Sequence, residues 1–285
     1  MKIGVSSYSF QQYLKAGKLT WEEIPEAAHA LGIEALDFID LPGETQKDRL
    51  ELAAKLRAAA DARGMTIVSY TIGGNLYQPE SEAAKAEIAR LTRQLEVAEA
   101  LGATIMRHDV VYSLSAGNGR SFDLMLPVIA ENTRKVCEEG EKRGIRTCTE
   151  NHGYIAQDSD RVERLFNAVA HPNYGLLVDI GNFACADEDP AMAVSRVAPY
   201  AIHAHAKDFY VHSFEEGPFD GGFATRGYRY LLGAAIGDGD MPVRQCIAIL
   251  RKAGYDGYLA IEYEGREDCI EGIKRGYAYL SSILG

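Results

Sequence analysis

The stretch KRGIRTCTE at residues 142–150 contains the pattern that decides the fold: a helical end, a glycine, and a short β-branched run. The same pattern recurs as ALGIEALDFI (30–39), ARGMTIVSY (62–70), ALGATIMRH (100–108) and KAGYDGYLAIE (252–262). Each glycine follows a helical stretch at a position that needs a positive φ, which glycine adopts without strain. The run after it is typical of a buried parallel strand. The five glycines are Gly32, Gly64, Gly102, Gly144 and Gly254.

Three further stretches complete the repeat without this glycine. They are the opening KIGVSSYSF (2–10), HPNYGLLVD (171–179) and VAPYAIHAHAKD (197–208). The pattern therefore predicts eight strands that alternate with helices, which implies a parallel sheet with right-handed crossovers. We predict an α/β fold, a (β/α)8 TIM barrel forming a single domain over residues 1–285. The competing Rossmann-type fold needs an early G-x-G-x-x-G, and the sequence contains none.

The predicted helices are supported by apolar side chains at i, i+3/i+4 spacing. This spacing is clearest at residues 44–62, 80–101 and 123–143, and Thr20 followed by Glu23 indicates a capping box before the first helix. The long segment 208–242, between strand 7 and helix 7, breaks the rhythm. A structureless loop of that size is usually functional, and often a lid.

Composition limits the classes of partner. The formal net charge is -11, from 41 acidic and 30 basic residues, so the surface repels nucleic acid and anionic membranes. The sequence has no secretory signal and no apolar stretch of about 18 residues. The five cysteines are an odd number without a C-x-x-C pair, which suits reduced thiols in the cytoplasm. A homo-oligomer or a subunit of a heteromer stays open.

Active sites of such barrels lie at the C-terminal ends of the strands. Strands 5 to 8 end in polar residues of ligand type: Glu150, Asp179, His205 and Glu262. Three converging carboxylates repel one another, and a divalent cation removes that repulsion. Hard oxygen ligands with one imidazole suit Mn²⁺ first, or Mg²⁺, with Co²⁺ and Zn²⁺ as further options. We predict one divalent ion here, although a single acidic strand end is commonly only a helix cap.

The choice of histidine and the role of its neighbours depend on depth along strand 7. His203 and His205 share a face, but His205 lies nearer the rim, so His203 is interpreted as supporting or structural. Lys207 is on the same face one step further out and is either a substrate contact or a solvated lysine. Asp208 orients Lys207 or caps a turn.

These motifs resemble the xylose isomerase-like barrels, which include D-tagatose 3-epimerase and inosose dehydratase among many sugar phosphate isomerase/epimerase relatives. The resemblance depends on E-N-H (150–152), D-x-x-N (179–182), H-A-H-A-K-D (203–208), G-D-G-D (237–240) and GYDGYLAIEYEG (254–265). It is strong in the second half of the chain only. It implies the same four metal ligands. Several epimerase relatives have His three residues after the metal Asp, where this chain has Asn182, and this departure affects the expected substrate contacts.

The resemblance implies chemistry on a small keto-sugar. A cation with open positions chelates adjacent carbonyl and hydroxyl oxygens and stabilises an enediolate. By resemblance, Glu150 and Glu262 remove and return the proton; His152, two residues after Glu150 on the same face, is an alternative base. If the proton returns, the enzyme is an isomerase or epimerase. If a β-group leaves, it is a lyase acting on a 3-keto-sugar or keto-glycoside, as a dehydratase or a glycoside-cleaving enzyme.

Further candidates for substrate contacts lie at the predicted rim. They are His152, Asn182, Lys207, His108, Arg226 and Tyr70, with Tyr8 and Phe10 as walls of a sugar pocket. Loop arginines such as Arg226 are more often solvated surface residues. Two other classes of protein remain as alternatives. A DNA-repair endonuclease needs a basic face, which the net charge of -11 opposes, and a non-catalytic scaffold would not depend on metal.

Overall fold

The described part of the computed structural model, residues 1–78, 81–111 and 121–285, forms eleven strands and nine α-helices, besides short 3-10 turns. The strands are β1 (Lys2–Ser6), β2 (Ala35–Ile39), β3 (Thr66–Ile72), β4 (Ile105–His108), β5 (Arg146–Glu150), β6 (Tyr174–Asp179), β7 (Ala201–Ala206), β8 (Asp208–His212), β9 (Phe223–Ala224), β10 (Tyr230–Ala234) and β11 (Tyr258–Ile261). The helices are α1 (Gln11–Lys15), α2 (Ile24–Ala30), α3 (Gln46–Asp61), α4 (Ser81–Leu101), α5 (Phe122–Lys142), α6 (Ser159–Val169), α7 (Pro190–Val197), α8 (Val243–Lys252) and α9 (Cys269–Leu284).

The strands β1 to β7 and β11 pair in parallel and close into a barrel in the order β1-β11-β7-β6-β5-β4-β3-β2. The predicted single (β/α)8 domain is therefore confirmed. Seven strands lie within the predicted stretches, and β3 extends two residues beyond its stretch, to Ile72. The five predicted glycines have φ between 66° and 89°. Before β6, where the pattern has no glycine, Ala170 ends the helix in the left-handed conformation with φ 46°. The repeat thus depends on one backbone geometry, which glycine usually supplies.

Side-chain caps fix where several helices begin. Glu23 accepts a hydrogen bond from the backbone N–H of Thr20 at 2.7 Å, as the predicted capping box requires. The Asp158 and Asp189 side chains accept from backbone N–H groups of the first turns of α6 and α7. Both aspartates lie on the rim where the strands end, so the caps set the loops around the site. No helix of the described residues is long and apolar enough to cross a membrane.

The segment 208–242 is not the structureless loop that its length suggested. Within it, β8, β10 and β9 form a small antiparallel sheet. Asp208, the first residue of β8, fixes the chain that follows β10, because its carboxylate accepts hydrogen bonds from the backbone N–H groups of Gly237 at 2.8 Å and Met241 at 3.0 Å. Phe209 and Leu231 pack this sheet onto the barrel and are fully buried. The segment therefore has its own small core, and Asp208 closes a turn rather than orienting Lys207.

Candidate metal centre

An apolar layer inside the barrel determines which side chains reach the site. Its members come from successive strands and include Ala35, Ile105, Cys148 and Leu177. Strand side chains alternate, so the residue two positions on points to the same interior. In these four strands that residue is polar or charged and buried: Asp37, Arg107, Glu150 and Asp179. The site is therefore built directly on top of the apolar layer.

The four predicted ligands lie together at this level. Glu150, Asp179, His205 and Glu262 each offer one ligand atom, and these atoms are all within 4.8 Å of one another. His205 Nδ1 lies 3.5 Å from Glu262 Oε1, 3.8 Å from Asp179 Oδ2 and 3.9 Å from Glu150 Oε1. A register shift between β6 and β7 brings His205 opposite Asp179. The geometry therefore offers three carboxylates and one imidazole to a single point.

Two atoms of this cluster favour a cation. Asp179 Oδ1 accepts the N–H groups of Gly181 and Asn182, both at 2.8 Å. Asp179 Oδ2 and His205 Nδ1 are buried, and within the described residues neither has a hydrogen-bond partner. Buried polar atoms are rarely left in that state. A divalent cation between them would satisfy both, so the residues fit the metal that the sequence predicts.

The charges of the cluster point the same way. Burial, followed by the like charges of Glu150 and Glu262, raises the pKa of Asp179 to about 6, although Lys207 opposes this. For Glu262, burial is outweighed by the charges of Lys207 and His205, which lower its pKa well below the usual range. Asp179 is therefore the carboxylate whose charge is least compensated by the protein. A cation near its Oδ2 atom would relieve this repulsion.

Asp37 orients the predicted histidine ligand, His205, and was itself not predicted. Its Oδ2 atom accepts His205 Nε2 at 2.7 Å and His203 Nε2 at 3.0 Å, and its Oδ1 atom accepts Thr71 Oγ1 at 2.7 Å. Because Nε2 of His205 is bonded to Asp37, its Nδ1 atom faces the three carboxylates. Burial opposes a charged ring, but the charge of Glu262 and the hydrogen bond to Asp37 raise the pKa of His205. A carboxylate behind a histidine ligand fixes the ring and raises its basicity. His203 thus supports the centre from behind.

Two buried cations flank the cluster. Arg107 Nη2 lies 2.8 Å from Glu150 Oε2 and 2.7 Å from Asp109 Oδ1. Lys207 Nζ donates to Glu262 Oε2 at 2.6 Å, and it lies 3.6 Å from Asp179 Oδ2, beyond hydrogen-bond distance. In both glutamates Oε2 is held by a cation, while Oε1 is the atom closer to His205. The cations therefore present one oxygen of each glutamate to the centre.

The centre opens into a cavity of about 630 Å³ lined by residues of several strand ends. His152, Asn182 and Lys207, three predicted substrate contacts, line it, and so does Tyr8. His152 Nδ1 lies 3.0 Å from Asp109 Oδ1, and this carboxylate raises the pKa of His152 despite its burial. Asn182 Nδ2 donates to Glu150 Oε1 at 2.9 Å, so Asn182 touches the centre as well as the cavity.

Four other predicted contacts lie elsewhere. Tyr70 is fully buried and donates to Gln94 at 2.9 Å, and His108 is fully buried with Nδ1 3.0 Å from the Asp109 carbonyl. In β3 the register shifts between Ile67 and Ser69, and Thr71, which donates to Asp37, is the inward-facing residue. In β4 the inward-facing residue is Arg107. Arg226 donates to Asp158 at 2.9 Å and holds the loop at Tyr154. Phe10 is also in the core. None of these four residues is among those that line the cavity.

The residues missed from the sequence are Asp37, Arg107 and Asp109. Alternation could have indicated the first two, since each lies two positions after an apolar interior residue, Ala35 or Ile105. Asp109 carries no such signal, because it follows the end of β4. Its position is apparent only from the contacts with Arg107 and His152.

Known proteins share this architecture. The rhizopine catabolism protein MocC of Rhizobium meliloti is 27% identical over 229 residues, which are 74% of this chain and 67% of that protein. D-psicose 3-epimerase with D-tagatose, from Clostridium cellulolyticum H10, superposes with a TM-score of 0.77 at 17% identity, covering 100% of this chain and 99% of the other. The IOLI protein, whose structure contains a zinc atom, gives a TM-score of 0.77 at 12% identity, covering 100% and 98%.

These two structural similarities, at low identity, show a common fold. The profile of the family described as the xylose isomerase-like TIM barrel matches residues 25–283, nearly the whole length of the sequence. The chain belongs to the xylose isomerase-like TIM-barrel family.

Proposed function

We propose that this protein is a divalent-metal-dependent isomerase or epimerase of a keto-sugar. The observation that carries the proposal is the pair Glu150 and Glu262, whose Oε1 atoms face His205 Nδ1 while their Oε2 atoms are held by cations. Two glutamates beside one metal position, one ionised and one carrying a proton, would supply the proton acceptor and the proton donor that such a reaction needs. The relatives named above include an epimerase, which agrees with this reaction class.

The proposed metal is one divalent ion, Mn²⁺ first, held by Glu150, Asp179, His205 and Glu262. When bound, it would supply Lewis acidity to the carbonyl and adjacent hydroxyl of the keto-sugar, which makes the neighbouring C–H more acidic. The three carboxylates are hard ligands that suit Mn²⁺ or Mg²⁺, and the imidazole also allows Co²⁺ or Zn²⁺. The cavity above the cluster has room for the sugar.

The proton transfers are assigned to this chain's own residues. One glutamate, as the carboxylate, takes the proton from the carbon next to the carbonyl. The other, carrying a proton acquired from solvent, returns that proton to the opposite face, which inverts the carbon. Arg107 and Lys207 fix the direction of the two carboxylates. Asn182 donates to Glu150 at 2.9 Å and accepts from Lys207 at 3.2 Å, so it links Glu150 to the ion pair of Lys207 and Glu262.

One observation favours a second candidate, a lyase acting on a 3-keto-sugar or keto-glycoside. The Oε2 atoms of both glutamates are paired with cations, which weakens them as bases, whereas His152 is oriented by Asp109 at 3.0 Å and lines the cavity. A histidine held in this way can remove the α proton and then protonate a leaving group on the next carbon. The Asp109–His152 pair is the specific feature that this reaction would use.

Incubation of Mn²⁺-loaded protein with ketohexoses and 3-keto-glycosides in D₂O separates the two reactions. We expect solvent deuterium at C2 or C3 of an epimerised or isomerised sugar, measured by NMR, and at least a hundredfold lower rate in Glu150→Gln and Glu262→Gln. Glu51→Gln on the exposed face of α3 is the matched control. Loss of water or of an aglycone would establish the lyase instead. No turnover of either substrate class would contradict both.

A further inference from the structure

Two carboxylates on the rim of the cavity take no part in the metal cluster. Asp40 follows β2 by one residue, and Glu264 lies two residues beyond Glu262; both line the cavity. Tyr70 donates to Asp40 Oδ1 at 3.2 Å, and Tyr8 donates to Glu264 Oε2 at 3.1 Å. Across the described ranges neither carboxylate is paired with a cationic side chain. Each carboxylate can therefore accept further hydrogen bonds at the mouth of the cavity.

The cations of the cavity are already engaged. Arg107 and Lys207 are the arginine and lysine among the described residues that line it. Arg107 is bound by Glu150 and Asp109, and Lys207 by Glu262, all at 2.8 Å or less. A phosphate group is normally held by an arginine fork, a lysine or a helix N-terminus that is free to bind it. To bind a phosphate here, a buried cation would have to leave a buried carboxylate uncompensated, which is costly.

From these contacts we infer that the site takes an uncharged keto-sugar rather than a sugar phosphate, and that Asp40 and Glu264 bind its hydroxyl groups. The inference rests on the proposed function, and it names the substrate class. Five carboxylates and two cations line the cavity, so even a divalent metal leaves the walls without excess positive charge. Such walls repel a phosphate dianion. A carboxylate is an acceptor only, and sugar hydroxyls are donors, so the rim pair matches a polyol.

The test measures binding separately from turnover. Protein loaded with Mg²⁺, which is diamagnetic, is titrated with D-fructose, D-tagatose and their 6-phosphates, followed by ligand-observed NMR and calorimetry. We expect each free ketose to bind at least tenfold more tightly than its phosphate. Asp40→Asn and Glu264→Gln should each weaken ketose binding about tenfold, the effect of one hydrogen bond to a charged group. Both substitutions should also reduce the ratio of the affinity for the free ketose to the affinity for its 6-phosphate.

Three controls keep the result decisive. Glu51→Gln, an exposed α3 carboxylate outside the cavity, should bind both sugars as the unaltered protein does, and Mg²⁺ affinity shows that each rim variant is folded. Tighter or equal binding of the phosphates overturns this inference while leaving the proposed function intact. Rim variants with unaltered ketose affinity overturn the role of Asp40 and Glu264. Failure of both sugar classes to bind overturns the proposed function and the inference with it.

Discussion

Replacement of Asp37 tests whether the buried carboxylate behind His205 determines metal affinity. Its Oδ2 atom accepts from both His203 and His205, and Thr71 Oγ1 donates to its Oδ1 atom. In Asp37→Asn the amide oxygen can replace Oδ2, and the amide NH₂ can donate to the Thr71 hydroxyl, because a hydroxyl also accepts. The geometry is retained and only the negative charge is lost. In Asp37→Ala both histidines also lose their partner.

The two variants therefore differ in expected magnitude. Loss of a partner behind a ligand typically costs about 10-fold to 100-fold in metal affinity. We expect Asp37→Asn to weaken Mn²⁺ binding about tenfold, near 1.4 kcal/mol, and Asp37→Ala to weaken it about a hundredfold, near 2.7 kcal/mol. Competition for Mn²⁺ against a fluorescent chelator at fixed pH measures both. Asp61→Asn, an exposed aspartate at the end of α3, is the matched control and should bind Mn²⁺ normally.

A defined result would refute this reasoning. If Asp37→Ala binds Mn²⁺ within twofold of the unaltered protein while remaining folded by circular dichroism, then Asp37 does not orient the ligand. An equal loss in Asp37→Asn and Asp37→Ala would show that charge alone matters, and the hydrogen-bond geometry would be irrelevant.

Three further results are expected. Arg107→Met leaves Asp109 and Glu150 buried without their cation, so the free energy of unfolding in urea should fall by about 3–5 kcal/mol; a loss below about 1 kcal/mol would contradict the ion-pair account. For protein kept in free Mn²⁺ at 100 times the Kd, removal of the Mn²⁺ should lower the free energy of unfolding by about 2.7 kcal/mol. A free energy of unfolding independent of Mn²⁺ would argue against the site. Burial opposes a low pKa at Asp187, but hydrogen bonds led by Arg229 lower it. The stability that Asp187 contributes is complete above its unfolded pKa of about 3.9, and it is lost as the pH falls through the lower pKa of the folded state. The free energies of unfolding of the unaltered protein and of Asp187→Asn should therefore converge in acid.

The barrel could be predicted because its signals are local. A helix end, a glycine with positive φ and a buried apolar run occur within about ten residues, and each depends only on its own neighbours. The four candidate ligands follow from the same rhythm, since parallel strands bring their C-terminal ends to one rim. Strand bounds therefore placed Glu150, Asp179, His205 and Glu262 at one level without any knowledge of their contacts.

The contacts around them could not be read in the same way. Asp37 and His205 are 168 residues apart, and no local pattern joins them. At β4 the last residue, His108, was chosen as the rim candidate, whereas the interior residue is Arg107, because Ile105 sets the parity. The segment 208–242 formed a sheet through pairing across its own length, which a search for helix and strand repeats does not detect.

The arrangement of charge is what supports the proposal that the centre binds a cation from outside. Arg107 and Lys207 are placed against the outer oxygens of Glu150 and Glu262, so they compensate these two carboxylates without filling the point where the four ligand atoms meet. The third carboxylate, Asp179, has only backbone donors on Oδ1, and its Oδ2 atom is buried without a hydrogen bond in the described residues. Asp179 is thus the least compensated carboxylate of the centre, with Lys207 Nζ 3.6 Å from its Oδ2 atom. That cost in stability is characteristic of a functional site, because filling the point with a protein cation would remove the position where a metal binds.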